Sequence, residues 1–363
     1  MADISLCMIV KNEEAVLGRC LDSVKGIFDE IIITDTGSSD GTRDIALSYT
    51  DKVFDFEWID DFSAARNYSF SKASCSYCMW LDADDILTPK AAAELIKLKN
   101  ELNSAVDVVM MRYDTAFDEH GNTVFFYYRE RIVRNRPDYR WEGEIHEAIV
   151  PHGNIIYSDI AVTHRKEKES NSDRNIKIFE KIIKTGKPLS TRHKFYYANE
   201  LYYHGRYEDA VKMYNMFLEC SDGWVENRID ACRMLSYCFD GIGDKENALN
   251  ILFKSFAYDA PRAEICCEIG RHFIEKENYT AAVFWYETAA GLPYRPQSGG
   301  FVISDCYGYI PYMQLCVCYD RMGEYEKAYE YNEKAAALKP TSEAAARNRL
   351  YFEGLKIVSD NIT

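Results

Sequence analysis

No stretch of the 363 residues approaches the roughly 18 uncharged apolar residues that a membrane-spanning helix requires. The start of the chain has no basic lead and no cleavage site, because ISLCMIV runs straight into KNEE. Positive charge is also scarce: 43 Lys and Arg stand against 58 Asp and Glu, a formal net charge of −15. That deficit argues against broad nucleic-acid binding, whose affinity is carried by Lys and Arg on phosphates. Together these absences lead us to expect a cytoplasmic protein, free or peripheral at the inner membrane face. Zinc-like spacing is missing too. Cys75 and Cys78 form a lone CxxC with no second pair, so the twelve cysteines read as reduced, packed thiols.

What the chain does contain follows two grammars. Up to about residue 165, short apolar strands (ISLCMIV, EIIIT, VFDF, SYCMWL) alternate with amphipathic helices, the first marked by Val16, Leu17, Cys20, Leu21 and Val24. Thr88 reads as an N-cap with Pro89 at the first helical position, opening a helix to about Asn100. This order predicts a mostly parallel, doubly wound sheet. VVMMRYD and VFFYYRERIV then read as a hairpin around the turn EHGN. From about residue 190 the strands stop. GRYEDAVKMY, GDKENALNIL, ENYTAAVFWY and GEYEKAYEYN place Ala210, Ala248, Ala282 and Ala328 at intervals of 38, 34 and 46 residues. These phrases resemble tetratricopeptide repeats, whose period is about 34 and whose stacked helices offer a concave binding face. The loop PYRPQSGG accounts for the long last interval.

The feature that speaks of chemistry is MWLDADDILTP, where an apolar run ends in Asp82, Asp84 and Asp85. Carboxylates this close repel one another unless something positive joins them or all face water. The second strand ends similarly, in TDTGSSDGT, where glycines allow a tight turn and Asp40 and Thr42 are placed to cap the next helix. Asp60, Asp61 and Ser63 lead into a helix carrying Arg66 and Asn67. In open parallel sheets ligands bind outside the carboxyl ends of strands. A crevice with Asp82, Asp84 and an arginine suits Mg²⁺ or Mn²⁺ bridging to a diphosphate. The plainer alternative is that Asp84 and Asp85 only cap the following helix.

Taken in order, SLCMIVKNEE, DTGSSDGT, FSAARN and LDADD resemble the family 2 glycosyltransferases of the GT-A fold over roughly residues 1–165. The resemblance implies an α/β fold: a GT-A (Rossmann-like, mostly parallel sheet) domain at 1–165, a helical linker at 166–189, and an all-α tetratricopeptide-repeat solenoid at 190–363. It implies that Asp82 and Asp84 are the metal-binding DxD pair. His164, at the end of IAVTH, is a candidate further metal ligand or diphosphate contact, and its plainer alternative is a structural hydrogen bond. The resemblance also implies that Val10, Lys11, Glu13, Asp35, Thr36, Arg66, Asp82 and Ala83 hold the nucleotide sugar. Many members have two adjacent aspartates where this chain has Asp35-Thr36. In YRWEGEIHEAIV, Glu144, His146 and Glu147 fall where the resemblance puts an acceptor-side base. Strand alternation would send Glu144 and His146 to one face and Glu147 to the other, favouring Glu144.

The expected function is therefore inverting, metal-dependent transfer of a sugar, a hexose, from a UDP-sugar to a glycan, lipid-linked or peptide acceptor. Mn²⁺ or Mg²⁺ is the expected cofactor, and a homodimer through the repeats is one expected assembly. Two rivals stand beside it. One is a repeat scaffold with an inactive transferase domain, and the other is a sugar nucleotidyltransferase. The latter needs a glycine-rich basic loop after the first strand, where this chain reads VKNEEAVLG.

Overall fold

Ile4–Val10 holds six apolar residues and a single serine, a run that is satisfied only where both faces of a strand are covered. In the computed structural model, which describes residues 2–118, 121–167 and 172–355, this segment is strand β1 near the middle of a sheet. Ile4, Leu6, Met8 and Val10 enter one core with Leu17, Leu21, Met79 and Leu95, while Cys7 enters another with Ile32, Cys78, Trp80 and Trp141.

The chain continues through α1 (Leu17–Ser23), β2 (Glu30–Asp35), α2 (Thr42–Tyr49), β3 (Val53–Asp55), α3 (Phe62–Phe70), β4 (Tyr77–Trp80), β5 (Asp85–Leu87) and α4 (Pro89–Glu101). Then come β6 (Val108–Phe117), β7 (Thr123–Arg134), the short pair β8 (Trp141–Glu142) and β9 (Ala148–Ile149), and β10 (Ile155–His164). The eight-stranded sheet has the order β3-β2-β1-β4-β7-β6-β10-β5. β7 and β5 pair antiparallel with their neighbours, and the rest run in one direction. The mostly parallel sheet expected from the sequence is therefore present, and with it the β6–β7 hairpin. Of its expected turn EHGN, Glu119 and His120 lie outside the described residues.

Local signals explain most boundaries. The Thr88 side chain caps α4 by accepting from the Ala91 amide at 3.2 Å, with Pro89 next in line, and Asp61 caps α3 through Ala64 at 2.9 Å. The cap of α2 differs from expectation. Gly41 stands at that position without a side-chain cap, while Asp40 accepts from the Thr42 amide and hydroxyl. The Thr42 hydroxyl in turn accepts from the Glu13 amide at 2.6 Å, so these polar groups tie the loop after β1 to the loop after β2. All cysteines are free thiols, and all but Cys220 are buried.

Two compact units divide the chain, Met1–Tyr196 and Tyr197–Thr363. The first also takes in α5 (Ser172–Lys184), whose Ile176, Ile178 and Phe179 are buried, so most of the stretch expected as a linker is an amphipathic helix of that unit. The division falls within α6 (Thr191–Tyr203). The second unit is helical: α7 (Tyr207–Leu218), α8 (Val225–Gly241), α9 (Lys245–Lys254), α10 (Ala263–Glu275), α11 (Tyr279–Gly291), α12 (Tyr309–Arg321), α13 (Tyr325–Leu338) and α14 (Glu343–Gly354). Ala210, Ala248, Ala282 and Ala328 are fully buried.

Each helix before those alanines ends in the same way. Residues 205, 243, 277 and 323 take positive φ, and the next amide bonds back to the carbonyl five residues earlier. The four bonds are Arg206 to Leu201, Asp244 to Phe239, Asn278 to Phe273 and Glu324 to Tyr319, at 2.8–2.9 Å. This is the Schellman termination, which glycine favours because it has no Cβ to clash. Three repeats have glycine there, and the third has Glu277. Recurring helix pairs with one stop signal and one buried small residue make this unit a set of tetratricopeptide repeats.

Candidate active site

Because β1, β2, β4 and β10 run in parallel, the residues that follow them emerge along one edge of the sheet. At that edge stand Val10-Lys11, Asp35-Thr36, Asp82 and His164. Val10 accepts from the Thr36 amide and hydroxyl at 2.9 and 3.1 Å. Asp35 is buried, and its Oδ1 accepts from the amides of Gly37 and Ser38 at 3.0 and 2.8 Å, so this carboxylate holds its own turn. Lys11 is exposed, Glu13 is half-buried and Ala83 is buried.

The carboxylate cluster separates into two roles. Asp82 Oδ1 accepts from Arg66 Nη2 at 2.8 Å, and Arg66 Nε donates to Glu147 Oε1 at 2.6 Å. Arg66 lies between the rings of Trp80 and Trp141, 5.1 and 4.7 Å from their centroids. It is a buried clamp joining Asp82 to Glu147. Asp84, Asp85 and His164 form the second group, their ligand atoms within 4.8 Å of one another. His164 Nδ1 lies 3.5 Å from a carboxylate oxygen of each aspartate and 2.9 Å from the Tyr113 hydroxyl. β5 pairs directly with the end of β10, opposing Asp85 to His164, which is why sequence-distant residues meet.

Asp85 is fully buried. Its Oδ2 accepts from the Asp82 amide and from Arg131 Nη1, both at 3.0 Å, while Oδ1 has no hydrogen-bond partner among the described residues. An orphaned carboxylate oxygen beside a second carboxylate and an imidazole fits a divalent cation, and the oxygen-rich donor set fits Mn²⁺ or Mg²⁺. The charges agree. Burial pushes the Asp84 carboxyl up, helped by Asp82 and Asp85 and opposed by His164. The Asp85 and Asp84 carboxylates in turn raise the His164 imidazole against its burial. A cation placed among these groups would counter the burial and the carboxylate repulsion that together raise Asp84.

The YRWEGEIHEAIV stretch does not follow strand alternation. Residues 143–147 leave the β8–β9 pair in a bend, with Gly143 and His146 at positive φ, so period-two reasoning fails there. Glu147 is turned to Arg66, whereas Glu144 pairs with Lys187 and lies 3.5 Å from His193 Nε2. His146 stacks on Tyr196 at 4.3 Å. The pair expected to share a face, Glu144 and His146, thus points to different partners. The glutamate that adjoins the aspartate cluster is Glu147.

Comparison with known proteins now decides the class. The Glycosyl transferase family 2 model matches residues 5–162, nearly all of the eight-stranded sheet, including Asp82, Asp84 and Asp85. The N-terminal domain is a family 2 glycosyltransferase domain. Relatives agree. A TPR repeat-containing protein of Synechococcus elongatus is 40% identical over 149 residues, covering 41% of this chain and 36% of that protein. The SPbeta prophage-derived glycosyltransferase SunS of Bacillus subtilis is 26% identical, covering 57% and 51%. The lipopolysaccharide core biosynthesis glycosyltransferase LpsC of Rhizobium meliloti is 31% identical, covering 42% and 58%. The chain thus matches only about a third to three-fifths of the length of these relatives.

Within the glycosyltransferase domain, sequence reading missed Arg131. It is fully buried, with its guanidinium 3.7 Å from the Trp80 ring and 4.3 Å from the Tyr113 ring. The cause is a bulge. Ile132 pairs with Val109 and Glu130 with Met110, so Arg131 is the extra residue and is re-aimed into the core. The available signal was RER within the otherwise apolar VFFYYRERIV, since charges inside a buried strand call for buried partners.

Proposed function

We propose that this glycosyltransferase domain moves a sugar from a UDP-sugar to an acceptor nucleophile in a single displacement that inverts the anomeric carbon. The observation that carries the reading is the Asp84–Asp85–His164 group beside the Arg66-linked Asp82 and Glu147, at the strand ends of a family 2 domain. Asp84, Asp85 and His164 would hold the divalent cation, with Asp82 facing the donor. When bound, that cation supplies positive charge against the departing diphosphate.

The acceptor's proton goes to Glu147. Arg66 holds this carboxylate in place through Nε while Nη2 holds Asp82, so one planar fork fixes the base relative to the donor-side carboxylate. Such a base contributes about 10²–10⁴-fold. Val10, Lys11, Glu13, Asp35, Thr36 and Ala83 belong to the nucleotide side of this reading. Asp35 and Thr36 act there by shaping the turn, since their polar atoms bond to the backbone. The repeats hold the acceptor, which is a glycan, a lipid-linked saccharide or a peptide.

A donor screen tests the reading: nucleoside diphosphate release from each nucleotide sugar, with Mn²⁺ or Mg²⁺. Release from a UDP-sugar supports it. Formation of a nucleotide sugar from sugar 1-phosphate and a nucleoside triphosphate would instead point to a nucleotidyltransferase, and inertness toward every donor to a scaffold.

A further inference from the structure

Three guanidiniums surround the indole of Trp80, two residues ahead of Asp82: Arg131 at 3.7 Å, Arg129 at 4.8 Å and Arg66 at 5.1 Å. Burial pushes the Asp82 carboxyl up, and Arg66, Arg131 and Arg129 together more than offset it, leaving it lowered. The three are not equivalent. Arg66 is 9% exposed and is bonded to Asp82 and Glu147. Arg131 is 0% exposed and paired to Asp85. Arg129 keeps 22% of its side chain in solvent and bonds neither Asp82 nor Glu147, although its charge reaches both.

Arg129 is also held from behind. The buried Glu130 carboxylate accepts from its Nε at 3.2 Å and its Nη2 at 2.9 Å, with the Tyr127 phenol beside it. A bidentate carboxylate fixes the plane of the fork while engaging two of its five N–H groups. A pre-oriented guanidinium on a partly exposed side chain, next to the carboxylate cluster, is suited to an anionic ligand, because its ordering cost is met before binding.

We propose that Arg129 is a donor-binding residue that hydrogen-bonds the diphosphate of the nucleotide sugar and stays with it as charge grows on the leaving group. The inference rests on the transferase reading and adds to it a ligand-contacting arginine on β7. Arg66 and Arg131 are less suited to this, because their side chains are 9% and 0% exposed against 22% for Arg129.

Calorimetric titration of the full chain with UDP and UMP in Mn²⁺, and with GDP and GMP alongside, provides the test. Arg129→Met alone would strand the Glu130 carboxylate, so the double variant Arg129→Met/Glu130→Gln is made beside it. Loss of a charge-assisted hydrogen bond predicts roughly tenfold or greater weakening for the diphosphate in both variants, with the monophosphate changed less than about twofold. Arg129→Lys should recover part of the affinity. Parental diphosphate binding in the double variant overturns the inference, and so does equal loss of diphosphate and monophosphate. If the parent protein binds no nucleoside diphosphate at all, the transferase reading fails first and this inference with it.

Discussion

Arg66, which FSAARN marked for the nucleotide, donates to both Asp82 and Glu147 and so links the two carboxylates. It follows that Glu147→Gln should cut transfer by about 10²–10⁴-fold while donor binding persists, and Glu144→Gln should change transfer by only a few fold. Steady-state kinetics on both variants checks this; the reverse ranking would return the base to Glu144. Away from the site, Glu30 is the residue with the clearest pH signature. Burial opposes its charge, but Lys52, Ser5 and Ser74 bind it and lower its carboxyl to about 2. Its folded value lies below its unfolded one, so its contribution is complete above about pH 4.5 and is lost as pH falls toward 2. Glu30→Gln should remove roughly 2 kcal/mol at pH 7 and flatten that acid limb, as read by urea unfolding at several pH values. The aspartates were legible because Asp82, Asp84 and Asp85 cluster in sequence. The division of labour among them was not, since His164 and Arg131 reach them only through strand pairing and a bulge.

Elements were more legible than residues. Both-face burial of Ile4–Val10, the Thr88–Pro89 start of α4 and the buried repeat alanines each follow from a local rule that tertiary packing does not contradict. Short elements escaped, because three residues at Asp85–Leu87 have no periodicity to read and depend on β10 for their strand character. The recurring Schellman stop makes a prediction. Glu277 holds φ 56°, where the other repeats use glycine. A left-handed L-residue costs about 1–2 kcal/mol, and glycine's extra unfolded entropy returns roughly 0.5–1, so Glu277→Gly should stabilise by about 0.5–1 kcal/mol. Gly270 behaves oppositely. A Cβ there would lie 2.7 Å from the Tyr286 ring. Alanine gains about 1 kcal/mol in helix propensity, but overpacking costs about 1–3, so Gly270→Ala should lower the unfolding midpoint. Denaturant melts of the two variants should move in opposite directions, and a stabilised Gly270→Ala would contradict the close helix packing.

For the molecule as a whole, two compact units suggest two separable tasks. Every residue assigned to chemistry lies before Tyr196, and the repeats carry no part of the aspartate cluster. Of the tyrosines on α6, Tyr197 is buried and Tyr203 is 70% exposed, so helix packing claims the former and leaves the latter available to an acceptor. A chain ending after residue 196 should retain nucleotide-sugar turnover and lose transfer to the physiological acceptor. A truncation that transfers normally would leave the repeats an assembly device, and size-exclusion chromatography of both forms would show whether they dimerise. Among the described residues no helix is long and apolar enough to cross a membrane. The central claim is a divalent cation among Asp84, Asp85 and His164 serving sugar transfer from a nucleotide donor. The most direct test is UDP release from the screened donor in Mn²⁺, in excess EDTA, and by Asp84→Ala in Mn²⁺. Turnover in the first condition, with loss in the other two and an unchanged unfolding midpoint for the variant, is the predicted result. Undiminished release in EDTA or by Asp84→Ala would contradict it.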